Sequence, residues 1–512
     1  MTSSTSNNIV MINPVGTDAC KNGSSHRRAR SIIREFSLNT STHGIPGIAR
    51  SQSIPNRIFW AISTFIFAGA MAYFITESIL DFLQYPTQTL VSVIDDSSQA
   101  FPAVSICNYS PLRQDLFMKD FLNYTDGLNL TNTTNYTMME KQSILIQDFF
   151  QYKLNRNESM TDYFFTLENM LISCKFNQLD CYKEDFIAFS DARYGNCYTF
   201  NAKASQIRNG TVYKLSENGD WGFLELELYV HSQQYVPYWS PAMGMIVQIH
   251  DNEQIPLMHW KGHYLIPGRR QRLTFTRKTQ YRLPKPYSDC DTKVPYMLQV
   301  AFDHFGNASY TYEQYICATV CIQVYIYTKC GCVDSYEWGA RYIAVSGTDQ
   351  IIIAPVCSQD NTCYKVELDR INNDYNVWIQ NCPMCVLECK TTDFLAKLSS
   401  LAAPMQWLLH DLKPKIESLS VPLSANWSNM WQSEISQNYL ALEIVSESAR
   451  TELLNDTPSI SSVDLLSNIG GQTGLWLRIS FLSLMEIAEM AYRLIRCKLY
   501  KLRKRKFKRS LT

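Results

Sequence analysis

The sequence predicts a membrane protein of mixed α+β class, in which two apolar segments bracket a large disulfide-stapled domain. Three observations lead there. A nineteen-residue uncharged run lies near the start, a second apolar run near the end is followed by a block of basic residues, and fourteen of the sixteen cysteines lie between the two. The 512 residues are enough for two or three cores, and 46% hydrophobic residues are too many for a disordered chain. Forty-seven Lys and Arg balance forty-seven Asp and Glu, which argues against a nucleic-acid binder.

The first run, Ile58 to Thr76, is long enough to cross a bilayer as a helix. Because 57 mostly polar residues precede it, it reads as a retained anchor and not as a cleaved signal. Seven Lys and Arg against Asp18 and Glu35 lie before it, and no basic residue follows until Arg113, so the N-terminus is expected in the cytosol.

The second run, Leu465 to Met485, is interrupted by Arg478 and contains Gly470, Gly471 and Gly474. An arginine at mid-membrane costs roughly 2.5–3.5 kcal/mol on the insertion scale, which the remaining apolar residues offset, and it should face protein or water. Ten Lys and Arg without an acid between Arg493 and Thr512 return the chain to the cytosol and suit lipid headgroups better than nucleic acid. The expected order is a cytosolic tail over 1–57, a first span over 58–83, an extracellular domain over 84–462, a second span over 463–492 and a basic cytosolic tail over 493–512.

An even number of cysteines confined to one side of a membrane implies disulfides. Ten N-x-S/T sequons share that segment, at Asn108, Asn123, Asn129, Asn132, Asn135, Asn157, Asn209, Asn307, Asn426 and Asn455, and read as glycosylation sites. Alternation in Leu224–Leu228, Met245–Ile249 and Arg272–Thr276 suggests strands, whereas 366–378 and 393–416 look mostly helical. Cys382-Pro-Met-Cys385 has metal-ligand spacing, but outside the cell disulfides are favoured over zinc. If the two segments run antiparallel, pairing 317 with 385 and 321 with 382 gives nearly equal index sums, as rungs of a ladder should. No G-x-S-x-G, H-E-x-x-H, P-loop or G-x-G-x-x-G occurs, so an ectoenzyme has little support, and no metal or cofactor is expected. His259 and His263 read as a bland loop.

From about His43 to Leu499 the chain resembles the degenerin/epithelial sodium channel family, which includes acid-sensing and peptide-gated channels. The resemblance rests on His43-Gly44, FPAVSICN from Phe101 to Asn108, YGNCYTFN from Tyr194 to Asn201, Pro267-Gly268, RLPKPYSDC ending at Cys290, and GGQTGLW ending at Trp476. It implies a trimer whose ectodomains have palm, finger, thumb, knuckle and β-ball regions. It also implies the disulfides Cys107–Cys197, Cys174–Cys181, Cys290–Cys389, Cys317–Cys385, Cys321–Cys382, Cys330–Cys363 and Cys332–Cys357. Tyr85 and Tyr287 match the aromatic pair that couples ectodomain to pore at the wrist, with Tyr in place of the usual Trp at the second position. His43-Gly44 matches the cytosolic gating motif. ATP-gated trimeric channels share the two-span topology but lack FPAVSICN and this cysteine order.

By the same resemblance the protein is an amiloride-sensitive, sodium-selective plasma-membrane channel, active as a homotrimer or as a heterotrimer with other family subunits. Ser467, Asn468, Gly471 and Gly474 would line the gate, and Glu486 and Glu489, three apart on one helical face, would form inner carboxylate rings. At the filter the family carries Gly/Ser-x-Ser, whereas this chain has Arg478-Ile479-Ser480. At about 5 Å and an effective dielectric near 20, each arginine would repel sodium by roughly 3 kcal/mol, and a ring of three by about 10. Three readings follow: Arg478 turns away and pairs with a neighbour's carboxylate, the subunit works in heterotrimers, or it is a non-conducting receptor or regulatory subunit. The stimulus is not legible, because the six ectodomain histidines and the finger sequence select neither protons nor peptides.

Charge is divided by compartment. Residues 58–477 hold 29 Lys and Arg against 43 Asp and Glu, whereas both tails are basic. That distribution suits a cation-attracting outer vestibule above basic inner flanks.

Overall fold

The computed structural model describes residues 25–95, 99–128, 140–204, 208–215, 222–306, 308–344 and 350–509. The chain forms two units, one of Met1–Gln88 with Pro458–Thr512 and one of Thr89–Thr457.

In the first unit an amphipathic helix, Ser25–Asn39, leads through the short helix Ile45–Arg50 into Ile54–Leu83. That thirty-residue helix has Pro55 in its first turn, where the missing N–H is harmless. Its best window has mean hydropathy 1.9, and among the described residues it is the one helix long and apolar enough to cross a membrane. The second apolar run behaves differently from expectation. Leu465 to Met485 is not one helix, because Ser462–Leu477 and Phe481–Arg509 are separated at Arg478-Ile479-Ser480. Arg478 takes a left-handed backbone, φ 53° and ψ 38°, which cannot continue a right-handed helix.

The second unit is built on two sheets. The larger has seven strands, running Lys390–Ala402, Arg269–Tyr281, Tyr439–Pro458, Phe223–Tyr229, Leu171–Phe176 and Leu179–Asp180, with Thr87–Asp95 joined to Tyr439–Pro458. The smaller runs Phe186–Asp191, Gly195–Phe200, Ala103–Asn108, Met245–His250 and His263–Leu265. FPAVSICN and YGNCYTFN supply two neighbouring antiparallel strands of this sheet, with Cys107 directly opposite Cys197. Phe101 and Phe275 pack edge to face at 6.0 Å, and Phe176 and Phe200 join them in the largest core cluster. Each such buried ring stabilises the fold by roughly 1.5–3 kcal/mol.

All seven implied disulfides are present, with Cα separations from 4.5 to 5.9 Å. Cys317 and Cys321, one turn apart on the helix Gln314–Cys330, bond Cys385 and Cys382 in the antiparallel ladder.

Two expectations are corrected. Residues 390–402 form a strand paired residue for residue with Arg269–Tyr281, and the α-helix begins only at Leu409, after a 3-10 turn over Gln406–Leu408. Leu395, Leu398 and Leu401 recur every three residues and mimic a helical stripe, but all three are exposed, while Thr392 is buried. Asn108 is also no glycan acceptor in this fold. It is 1% exposed, its Nδ2 donates to the Val230 carbonyl, and its Oδ1 accepts from the Tyr235 hydroxyl. Asn123, Asn157, Asn209 and Asn426 are exposed and Asn455 is half-buried, whereas Asn129, Asn132, Asn135 and Asn307 lie outside the described residues.

Candidate pore segment

The outer half-helix, Ser462–Leu477, begins with a capping box. The Ser461 hydroxyl accepts from the Asp464 N–H at 3.1 Å, and the Asp464 carboxylate accepts from the Ser461 N–H at 2.9 Å. Ser467, Gly471 and Gly474 fall on one exposed face together with Asn468. A Cβ at Gly471 or Gly474 would meet nothing within 4 Å, so a single chain leaves this small-residue face open. On another side, Trp476 stacks on Phe67 and Phe74 of Ile54–Leu83, both at 5.9 Å between ring centres, and its indole N–H donates to Gln472 at 2.8 Å. The Gln and Trp of GGQTGLW therefore fasten this half-helix to the first long helix.

The triplet Arg478-Ile479-Ser480 is the hinge between the halves. The N–H groups of Arg478 and Ile479 both reach the Thr473 carbonyl, closing the outer helix. Ser480 opens the inner one, its hydroxyl accepting from the Ser483 N–H at 3.3 Å. This geometry explains the family's glycine and serine at the two ends of the triplet. A left-handed backbone favours glycine, and a helix start favours serine. For a non-glycine residue that conformation costs about 1–2 kcal/mol.

The hinge is met by the segment around His43. The His43 N–H donates to the Leu477 carbonyl at 2.9 Å, and its Nε2 lies 3.4 Å from Nη1 of Arg478. Within its own chain the guanidinium thus points its Nη1 donor at an imidazole nitrogen of the N-terminal segment. Gly44 has φ 90°, and a Cβ there would come 2.1 Å from Oγ1 of Thr64, so both backbone and space demand glycine.

The two expected inner carboxylates are placed unequally. Glu486 is half-buried and accepts from Thr40 Oγ1 and from the Ser41 N–H, each at 3.0 Å. Glu489 is exposed, 3.7 Å from Arg493 one turn on, and Arg493 also lies 3.3 Å from Glu35. Ser41 and Ser483 complete the clasp through their hydroxyls at 2.6 Å. Thr40, Ser41, Thr64 and Ser483 were not singled out by the sequence. The run Asn39-Thr-Ser-Thr-His43 was the available signal, since a dense cluster of short hydroxyls before a glycine suits a loop that bonds to something else. Tyr85 follows the first long helix with φ 50°, and Tyr287 donates its N–H to the Pro284 carbonyl at 3.1 Å, each within its own unit.

Residues 36–490 match the family model described as amiloride-sensitive sodium channel. The chain is similar to acid-sensing ion channel 1 of Gallus gallus, with 26% identity covering 91% of this chain and 85% of the relative. It is similar to acid-sensing ion channel 1C of Danio rerio, at 24% over 94% and 87%. The FMRFamide-activated amiloride-sensitive sodium channel of Cornu aspersum is 25% identical over 92% of this chain and 84% of its own length.

Proposed function

Because the chain belongs to the amiloride-sensitive sodium channel family, whose members are sodium-selective, acid- or peptide-gated cation channels and not enzymes, we propose that it is one subunit of a trimeric, amiloride-blocked sodium channel of the plasma membrane. Both termini lie in the cytosol, residues 84–462 are extracellular, and the broken segment over 463–492 lines the pore. Ser467, Asn468, Gly471 and Gly474 face the axis, Arg478-Ile479-Ser480 forms the narrowest turn, and Tyr85 with Tyr287 couples the extracellular domain to it. The basic tail after Arg493 rests on anionic headgroups. The stimulus is a proton or an amidated peptide, as the names of the relatives suggest.

The observation that carries this reading is the helix break at the triplet with the His43-Gly44 segment bonded to it. A structural helix gains nothing from a left-handed arginine at mid-span, whereas a conduction path needs backbone carbonyls and a hydroxyl brought out of a helix at one level. Arg478 sets the conductance. Three guanidiniums at the narrowest level oppose sodium, and the subunit conducts well only in heterotrimers where partners dilute that charge.

Voltage-clamp recording tests this. Wild type expressed alone should give little amiloride-sensitive sodium current in response to acid or amidated peptides, Arg478→Gly should raise it at least tenfold, and co-expression with a glycine-bearing relative should restore it without mutation. Large wild-type current from the subunit alone would overturn the role given to Arg478. Failure of Arg478→Gly and of the mixed trimer to conduct, at normal surface expression, would overturn the channel reading.

A further inference from the structure

A polar cavity of about 550 Å³ lies within the extracellular unit, and the conduction scheme makes no use of it. It opens where the end of the helix Ile146–Asn155, the paired strands Phe186–Asp191 and Gly195–Phe200, and the segment ending at Tyr342 come together. Asn157, Ser159, Thr161, Asn196, Arg341 and Tyr342 are among its walls.

Arg341 is the unusual member. It is only 9% exposed, yet among the described residues no carboxylate pairs with it. One nitrogen, Nη1, donates to the Leu154 carbonyl at 2.7 Å. The acid on the cavity wall, Glu158, is already held by Lys153 at 2.7 Å and Arg156 at 2.8 Å. Arg113, buried to the same degree, shows the usual solution, with Asp115 at 2.6 Å and Asn169 at 2.9 Å. A buried guanidinium without a counter-charge is costly, and burial here lowers the Arg341 pKa.

We propose that this cavity binds a small organic carboxylate, with Arg341 as its charge partner. The planar guanidinium fork matches a carboxylate in two parallel hydrogen bonds. The volume suits a molecule of amino-acid size or larger and greatly exceeds what a halide needs. The amide and hydroxyl groups of Asn157, Ser159 and Thr161 border it, and Tyr342, stacked on His304 at 4.1 Å, gives it a flat wall. An occupant would add a further link between these segments, two of which the Arg341–Leu154 hydrogen bond already joins. The proposal concerns binding and does not rest on conduction by this chain.

Thermal unfolding of the purified full-length protein, produced in a cell-free system without N-glycosylation and held in detergent, tests it, at constant pH and ionic strength, with sodium glutamate, sodium acetate or sodium chloride as the probe. Glutamate should raise Tm saturably, acetate less, and chloride not saturably. Arg341→Gln should weaken the apparent glutamate affinity at least tenfold and Arg341→Lys less. Should Arg341→Gln not fold, Asn157→Asp provides the second variant. Aspartate tolerates the left-handed backbone at that exposed position, φ 56°, and the carboxylate it places on the cavity wall should weaken glutamate binding at least tenfold. No saturable effect of either carboxylate, an equal effect of chloride, or glutamate binding unchanged in both Arg341→Gln and Asn157→Asp would each overturn the proposal.

Discussion

The main-chain N–H of Ser41 donates to the carboxylate of Glu486 at 3.0 Å, although the two residues are 445 positions apart. Glu486 is thereby an anchor for the N-terminal segment, with Thr40 and Ser483 as its companions. Glu489, three residues on, turns to Arg493. Two acids that sequence spacing makes equivalent therefore have separate tasks.

Neutralising them should separate those tasks. In a conducting Arg478→Gly background, Glu486→Gln should cut sodium current at least fivefold at unchanged surface expression, because a charge-assisted clasp becomes a neutral one. Glu489→Gln should change it less than twofold, since its ion pair is exposed. Equal effects of the two substitutions would show that the Ser41 contact is not what matters at Glu486.

Gly44 allows a test of the loop itself. Gly44→Ala should reduce current more than tenfold, with protein still reaching the surface. Thr64→Ala alone should be nearly silent, and in the double variant it should recover part of the loss by removing the hydroxyl that a new Cβ would strike at 2.1 Å. Recovery stays incomplete because φ 90° remains unfavourable for alanine. Wild-type current from Gly44→Ala would place this turn elsewhere.

On the outer half-helix, Ser467 shares its open face with Gly471 and Gly474. In the proposed trimer, three copies of that face can approach closely only while it stays small. Ser467→Phe in the Arg478→Gly background should hold the pore open, read as a constitutive amiloride-sensitive current several times larger than the control. An unchanged open probability would remove Ser467 from the gate.

The stability of the unit Thr89–Thr457 should depend on pH through opposing groups. Burial pulls His231 and His250 down to about 4, and both are satisfied as neutral rings, His250 by Ser105 and the Asp251 carbonyl, His231 by the Asn169 carbonyl. The unfolded chain takes up those protons first, so their contribution is complete above about pH 6.5 and is lost as pH falls toward 4. Burial pushes Glu313 up to about 7, so the folded state holds its proton longer than the unfolded one, and stability from this group grows as pH falls from 7 toward 4.5. Between pH 7 and 5, thermal unfolding should therefore fall less steeply in His250→Gln than in wild type and more steeply in Glu313→Gln. The reverse order would mean that these side chains are solvated.

The disulfide framework was legible because cysteines and long motifs leave marks independent of secondary structure. The index sums alone paired Cys317 with Cys385 and Cys321 with Cys382, and both bonds exist. Periodicity was less dependable. Leu395, Leu398 and Leu401 imitate a helix, yet thirteen ladder partners from Arg269 to Tyr281 hold that stretch as a strand. Long-range pairing overrides local preference there. In the candidate pore the position of the triplet was readable and its conformation was not. An apolar run carries no mark of where it breaks, and the cap formed by Ser480 and Ser483 became meaningful only once the helix was seen to restart. The clasp of Thr40 and Ser41 on Glu486 joins opposite ends of the sequence, beyond the reach of any local pattern.

The left-handed turn at Arg478 also has an electrostatic meaning. An α-helix carries roughly half a negative charge at its C-terminal end, where its last carbonyls lack donors. Ser462–Leu477 ends at the hinge, so that negative pole lies where the triplet begins. In a chain with glycine there, the pole is free to attract whatever cation passes. Here the next residue brings a cation of its own to the end of that helix, where such a charge is worth about 0.3–2 kcal/mol. On the proposed channel reading, Arg478 stands in for the permeant ion at the helix pole, a resident competitor for the place sodium would occupy.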